Sequence, residues 1–126
     1  MRYLLDSTFL IDLLRDEPAA LARLETMYLS GDDPILTSVT TAEIWAGRRD
    51  GGDAVIERSL RFIEYIHAGP DAARLAGEWR AAARQSGKTL ALTDALIAAT
   101  ADAVDAVVLT RNVRDFALTP VRVETY

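Results

Sequence analysis

Four acidic side chains stand beside apolar runs, where a carboxylate left without a partner carries a heavy desolvation cost. Asp6 closes Arg2-Tyr3-Leu4-Leu5, Glu43 lies a few residues past Ile35-Leu36-Thr37-Ser38, Asp94 opens Ala95-Leu96-Ile97-Ala98-Ala99, and Asn112 and Asp115 follow Val107-Val108-Leu109. If the four acids meet in one pocket, their repulsion raises their pKa values or opens the structure unless a cation sits among them. The chain has no Cys and a single His, His67, which stands outside this set and receives no catalytic role. An all-oxygen ligand set points to Mg2+ or Mn2+, ions that keep several waters, take one or two carboxylates directly and bind phosphate oxygens. The implied substrate is a phosphate ester.

Each acid also has a purely structural account. Asp6 can form an Asx turn, Glu43 can be the N3 partner of Thr40 in a capping box, Asp94 can complement a helix dipole, and Asp115 can belong to a turn. These accounts compete best one residue at a time. Jointly they leave unexplained why the acids gather at the ends of apolar segments.

The elements that must position the acids alternate between strand and helix signals. Arg2-Tyr3-Leu4-Leu5-Asp6 reads as a strand, Ser7 or Thr8 as the N-cap of a helix over 9–14, and Glu17-Pro18 as the start of a helix to about 30 with Leu21, Leu24 and Tyr28 on one face. After the break Gly31-Asp32-Asp33-Pro34, Ile35-Leu36-Thr37-Ser38 reads as a second strand, and Thr40-Thr41-Ala42-Glu43 has the capping-box spacing for a helix running towards Gly51-Gly52. Helical spacing continues over 53–63, with a short extended piece at Tyr65-Ile66-His67. Residues 71–86 form an amphipathic helix that places Ala72, Leu75, Ala76, Trp79 and Ala83 in the core and stops at Gly87. Thr93-Asp94 opens a buried helix, 105–110 is a third strand, and 121–124 is the last. Trp45, Tyr28, Phe62 and Tyr65 recur with apolar neighbours at helical spacing and are expected in the core or at an interface, with a groove for a partner helix as the other use for them.

Continuous apolar strands separated by helices predict an α/β fold, a three-layer α/β/α sandwich with a central, mainly parallel sheet. In such sheets ligands bind at the carboxyl ends of the strands, where most of these acids fall.

The length of 126 residues predicts one domain over 1–126, large enough for an apolar core without disulfides. No apolar run approaches the ~20 residues of a membrane span. The start Met1-Arg2-Tyr3-Leu4-Leu5-Asp6 lacks the apolar region of an export signal, so a cytoplasmic location is expected. Nineteen acids against fourteen bases give a net charge of −5, which argues against a polyanion binder with a generally basic surface. Contact with nucleic acid must therefore be local. Of the bases thirteen are Arg, the side chain that grips phosphate in a planar, bidentate way, and Lys88 is the only Lys.

Leu4-Leu5-Asp6-Ser7-Thr8-Phe9-Leu10-Ile11, Thr40-Thr41-Ala42-Glu43-Ile44-Trp45-Ala46-Gly47, Leu92-Thr93-Asp94-Ala95-Leu96-Ile97-Ala98-Ala99-Thr100 and Leu109-Thr110-Arg111-Asn112-Val113-Arg114-Asp115-Phe116 resemble, in order, the four blocks of PIN-domain proteins, in particular VapC-type toxins. The resemblance spans essentially the whole chain. It implies a PIN-like fold and a metal-dependent endoribonuclease, the toxin of a type II toxin–antitoxin pair. By position, Asp6, Glu43 and Asp94 match the family's three best-defined acids, with Asp6 and Asp94 as principal Mg2+ ligands. Family members place the fourth acid where this chain has Asn112 or Asp115. The first is an amide here, so Asp115 is taken as the acid and Asn112 as its polar helper. Ser7, Thr8 and Thr110 orient ligands or water, and Arg48, Arg49, Arg111 and Arg114 flank the acids as a local track for RNA. The partners implied are a cognate antitoxin, RNA, a second copy of the chain as a homodimer, and DNA only through the antitoxin. Two other classes compete: a catalytically silent binding module, and a receiver-type signalling domain, which needs a Lys after a late strand and finds only Lys88, between two helices.

Overall fold

The computed structural model describes residues 1–126. Its elements run β1 (Arg2–Leu5), α1 (Ser7–Leu14), α2 (Pro18–Leu29), β2 (Asp33–Thr37), α3 (Ser38–Ala46), α4 (Asp53–Leu60), β3 (Glu64–Ile66), α5 (Pro70–Gln85), α6 (Leu92–Ala103), β4 (Val107–Leu109), a single 3-10 turn (Val113–Phe116) and β5 (Val123–Glu124). The five strands form one parallel sheet in the order β3-β2-β1-β4-β5. The expected three-layer sandwich is the fold observed.

Strand alternation sorts the core into two sides. Tyr3, Leu5, Leu36, Val107 and Leu109 pack with Phe9, Leu10, Met27 and Ile44 on one face of the sheet. Leu4, Ile35 and Val108 pack with Ile97, Ala98, Ala101 and Phe116 on the other. Both faces are covered, which is why these strands read as unbroken apolar runs. Ala72, Ala76 and Ala83 of α5 bury against Ala95 and Ala99 of α6, small residues that let the two helices approach closely. No helix is long and apolar enough to cross a membrane.

The strand order reverses at β1, whose neighbours are β2 on one side and β4 on the other. Connections leave the carboxyl ends of β1 and β4 in register, Leu5 beside Leu109. A crevice at such a switch point is where α/β sheets bind ligands, and Asp6 and Thr110 are the next residues on each strand.

Several local expectations are corrected. The N-cap of α1 is Asp6, not Ser7 or Thr8, and its side chain makes no capping hydrogen bond. Helix α3 begins at Ser38 with Thr37 as cap: Thr37 Oγ1 accepts from the Thr40 backbone N–H at 3.3 Å. Thr40 is thus a fully buried residue inside the first turn, and the Thr40–Glu43 capping box does not exist. In α2 the buried residues are Ala20 and Met27, with Leu24 packed against the core, while Leu21 and Tyr28 face out. The helix and its spacing are as expected, and the face it buries is centred on Ala20, Leu24 and Met27 instead. Phe62, at 87% exposed, and Tyr28, at 57%, lie outside the core.

Thr37→Ala removes the cap and leaves the buried Thr40 hydroxyl without its partner at 3.2 Å. It is expected to destabilise the fold by about 1 kcal/mol or more in denaturant titrations. Ser38→Ala, at an exposed hydroxyl, should stay within about 0.5 kcal/mol of the parent, and equal losses in the two variants would refute the cap assignment.

Candidate active site

Asp6 is only 4% exposed, yet no cation pairs with it. Two hydroxyls hold it instead. Thr110 Oγ1 donates to Asp6 Oδ2 at 2.7 Å, and Thr8 Oγ1 donates to the same oxygen at 3.1 Å. Each hydroxyl has one proton, so the 3.1 Å approach of Thr8 Oγ1 to Thr110 Oγ1 is a contact between two donors already committed to Asp6. Their lone pairs are filled from the backbone: Arg111 N–H donates to Thr8 Oγ1 and Asn112 N–H to Thr110 Oγ1, both at 3.0 Å. Both hydroxyl bonds converge on Oδ2, leaving Oδ1 for another partner.

Asp94 lies half-buried in the first turn of α6. Its pKa is pushed up to about 6, first by burial, then by the negative charges of Asp115, Asp6 and Glu43. Glu43 sits in the second turn of α3, beyond reach of any cap, and remains largely open to solvent. Its pKa is also raised, by desolvation of the carboxyl and then by Asp6, while a hydrogen bond from Ser7 pulls the other way. Asp115, on the exposed 3-10 turn, is the largest charge acting on Asp94.

The structure therefore brings all four expected acids into one electrostatic neighbourhood, with Asp6 at its buried end. No ion pair reaches any of them. No three of them approach closely enough to form a ligand cage by themselves. The capping account of Glu43 and the turn account of Asp6 are both removed by the geometry. The dipole account of Asp94 holds together with its place in the cluster, since a first-turn position eases its charge.

The arginines divide. Arg111 does not stand free beside the acids: its Nη1 donates to both oxygens of Asp12, at 2.7 and 2.9 Å. Asp12 is buried, and Tyr126 Oη donates its one proton to Asp12 Oδ2 at 2.6 Å, with the Thr8 carbonyl 3.2 Å from the same oxygen. The Tyr126 phenol is held well above its usual pKa by burial, then by the hydrogen bond to Asp12 and the charge of Asp12, with Arg111 and Thr8 opposing. Arg111 is thus a clamp that fixes the loop after β4, the loop whose N–H groups orient Thr8 and Thr110. Arg48 pairs with Asp53 at 3.3 Å and donates to the Trp45 carbonyl, whereas Arg49 and Arg114 are exposed with no ion-pair partner. Sequence reasoning missed Asp12 and Tyr126. The available signal was an acid inside the apolar run Phe9-Leu10-Ile11-Asp12-Leu13-Leu14, which when buried needs a partner from elsewhere.

A PIN domain matches residues 3–120, and the chain belongs to the PIN-domain family. Within it, the chain is 35% identical to Ribonuclease VapC19 of Mycobacterium tuberculosis over 93% of this chain and 94% of that protein. It is 27% identical to Ribonuclease VapC1 of Haemophilus influenzae over 92% of this chain and 90% of that one. VapBC2 from Rickettsia felis, solved on a promoter DNA fragment, superposes with a TM-score of 0.89 at 22% identity, covering 100% of this chain and 99% of that chain, a likeness of fold.

The raised pKa of Asp94 ties stability to pH. Its folded value lies above the ordinary 3.8, so folding takes up a proton at this group. That contribution is complete below pH 3.8 and is lost as pH rises through about 6. In metal-free buffer, thermal melts from pH 4 to 7 should show the parent losing about 1 kcal/mol relative to Asp94→Asn, the half-exposed position having been allowed for. Parallel pH profiles for the two proteins would show that Asp94 is not strained by its neighbours.

Proposed function

We propose that this chain is a divalent-metal-dependent endoribonuclease, the toxin of a VapBC-type pair that blocks translation until its antitoxin neutralises it. The observation that carries this reading is the buried Asp6, held by two hydroxyls at the β1/β4 switch point and surrounded by three further acids with no cation of the protein's own. Similarity to ribonucleases over nearly the full length of the chain supports it.

The donor set suits Mg2+ or Mn2+. It is all oxygen, the chemistry of an ion that takes one or two carboxylates and completes its shell with water and phosphate oxygens. Asp6 and Asp94 are the residues that would hold the ion, with Glu43 and Asp115 as secondary or water-mediated ligands. The ion supplies charge neutralisation at the phosphate and a water acidified for attack at neutral pH.

The chain's residues do the rest. Thr8 and Thr110 fix the rotamer of Asp6, Ser7 orients Glu43, and Asn112 is a polar neighbour on the Asp115 loop. Glu43 and Asp115 accept hydrogen bonds from the attacking water and aim it in line with the scissile P–O3′ bond. The new bond joins water oxygen to phosphorus. The P–O3′ bond breaks, the water's proton passes to a carboxylate, and the 3′ oxygen takes a proton from solvent, leaving 5′-phosphate and 3′-hydroxyl ends.

Arg49 and Arg114, with Arg48 in part, are the arginines available to the RNA backbone; Arg111 acts through the loop it clamps. A trough of about 500 Å3 between α1, α3 and α4, lined by Ile11, Leu14, Ile44, Val55 and Ile56 and edged by Glu43, Arg48 and Arg49, offers an apolar seat for an antitoxin segment. A homodimer and indirect contact with DNA through the antitoxin complete the partners proposed.

Incubated with cellular RNA, the purified protein is expected to cut it in Mg2+ or Mn2+ and to stop when the ion is chelated. Asp6→Asn and Asp94→Asn should each lose roughly a hundredfold or more in rate, as measured by end-mapped cleavage, while keeping the parent's circular dichroism. Undiminished cutting by either folded variant, or cutting that survives chelation, would refute the reading.

A further inference from the structure

We propose that the basic hollow formed by Arg80, Arg84, Lys88 and Thr89, where α5 turns into α6, is a subsite for the RNA backbone beside the cleavage site. The proposal rests on the ribonuclease reading and extends it to residues that no part of the acidic cluster uses.

The hollow measures about 380 Å3 and is lined by these four residues and Leu90. It carries three positive charges and no acid. In a chain of net charge −5, no Asp or Glu occurs between Glu78 and Asp94. None of the three cations is in an ion pair, although seven other pairs form elsewhere. Three unpaired cations close together repel one another and are stabilised by a polyanion.

The geometry is set rather than loose. Beyond α5, Gly87 adopts a left-handed backbone, with its N–H on the Arg84 carbonyl at 3.0 Å and the Lys88 N–H on the Ala83 carbonyl at 2.9 Å. This closure fixes where Lys88 leaves the helix. Leu90 is buried, and Arg80 Nε donates to its carbonyl at 3.0 Å, so the Arg80 side chain braces the far wall. Arg84 and Lys88 remain exposed. An arginine fork, an ammonium and a hydroxyl converging on one hollow match the oxygens of a phosphodiester.

The position relative to the site follows from the chain. Thr89 is five residues from Asp94, so the two Cα atoms are at most about 18 Å apart even if the chain were straight. The start of α6 at Leu92 shortens that span. Helix α6 runs back along the sheet into β4, which puts its N-terminus, and the end of α5 packed beside it, at the same edge of the sheet as Asp6. A strand whose scissile phosphate sits at Asp6 and Asp94 reaches the hollow within a few nucleotides.

Contacts of this kind hold the backbone without reading bases, so a mixed-sequence probe suffices for the test. In an Asp6→Asn background, anisotropy of a fluorescein-labelled 12-nucleotide single-stranded RNA is followed with and without Arg84→Ala/Lys88→Ala. Binding should weaken roughly tenfold at low salt, and the slope of log affinity against log salt should flatten by about 1.4, or ~0.7 for each lost phosphate contact. Arg58→Ala/Arg74→Ala removes the same charge at exposed sites elsewhere and should stay within about twofold of the parent. Parent-like affinity and slope in the first double variant, equal weakening in the control, or no RNA binding by the parent would each overturn the subsite. Cutting of cellular RNA by the native chain is scored separately. If cutting persists while the subsite variant binds normally, the subsite falls and the ribonuclease reading stands.

Discussion

Four carboxylates held together without a cation are the constraint around which the rest of this molecule is arranged. The backbone positions that bring them together are set by four different elements. Asp6 is at the end of the central strand, Glu43 is on α3, Asp94 is in the first turn of α6, and Asp115 is on a 3-10 turn. The raised pKa values of Asp94 and Glu43 record strain the fold tolerates.

Holding Asp6 takes more structure than the acid itself suggests. Its Oδ2 is bonded to Thr8 and Thr110, those hydroxyls are oriented by the N–H groups of Arg111 and Asn112, and that loop is fixed by Arg111 on Asp12. Tyr126, the last residue of the chain, closes the set from the other side by donating to Asp12 and packing its ring edge-on against Phe9 at 4.9 Å. A buried ion pair costs more to desolvate than it returns unless its remaining lone pairs are satisfied. Here the phenol hydroxyl and two guanidinium contacts satisfy Asp12. The pair's evident use is to fix a loop that has only its backbone to offer the site.

The layers, the parallel sheet and the shared neighbourhood of the four acids were legible because each rests on short-range physics: apolar runs of strand length, helical spacing, and charges placed against apolar neighbours. Where phase or partner choice decided, the sequence was less informative. Thr37 and Thr40 are both competent caps, and only the end of β2 at Thr37 selects between them. Leu21 and Met27 are both apolar, and which side of α2 meets the core is decided by tertiary packing that its own sequence does not encode. Arg111 reads as part of an RNA track because it flanks the acids in sequence. Its partner, Asp12, is ninety-nine residues away, and no local rule pairs them. The same is true of Tyr126.

Charge is distributed so that an acidic protein can still handle a polyanion. The acids that face a substrate phosphate repel it, and that repulsion acts over the Debye length of ~8–10 Å. Unpaired bases, Arg49 and Arg114 near the acids and Arg80, Arg84 and Lys88 at the α5–α6 turn, offset it locally, while Arg48 and Arg111 are tied to Asp53 and Asp12. On the proposed function, a divalent ion at the acids would lessen that repulsion. Ion and RNA would then each raise the other's affinity by the same factor, as thermodynamic reciprocity requires.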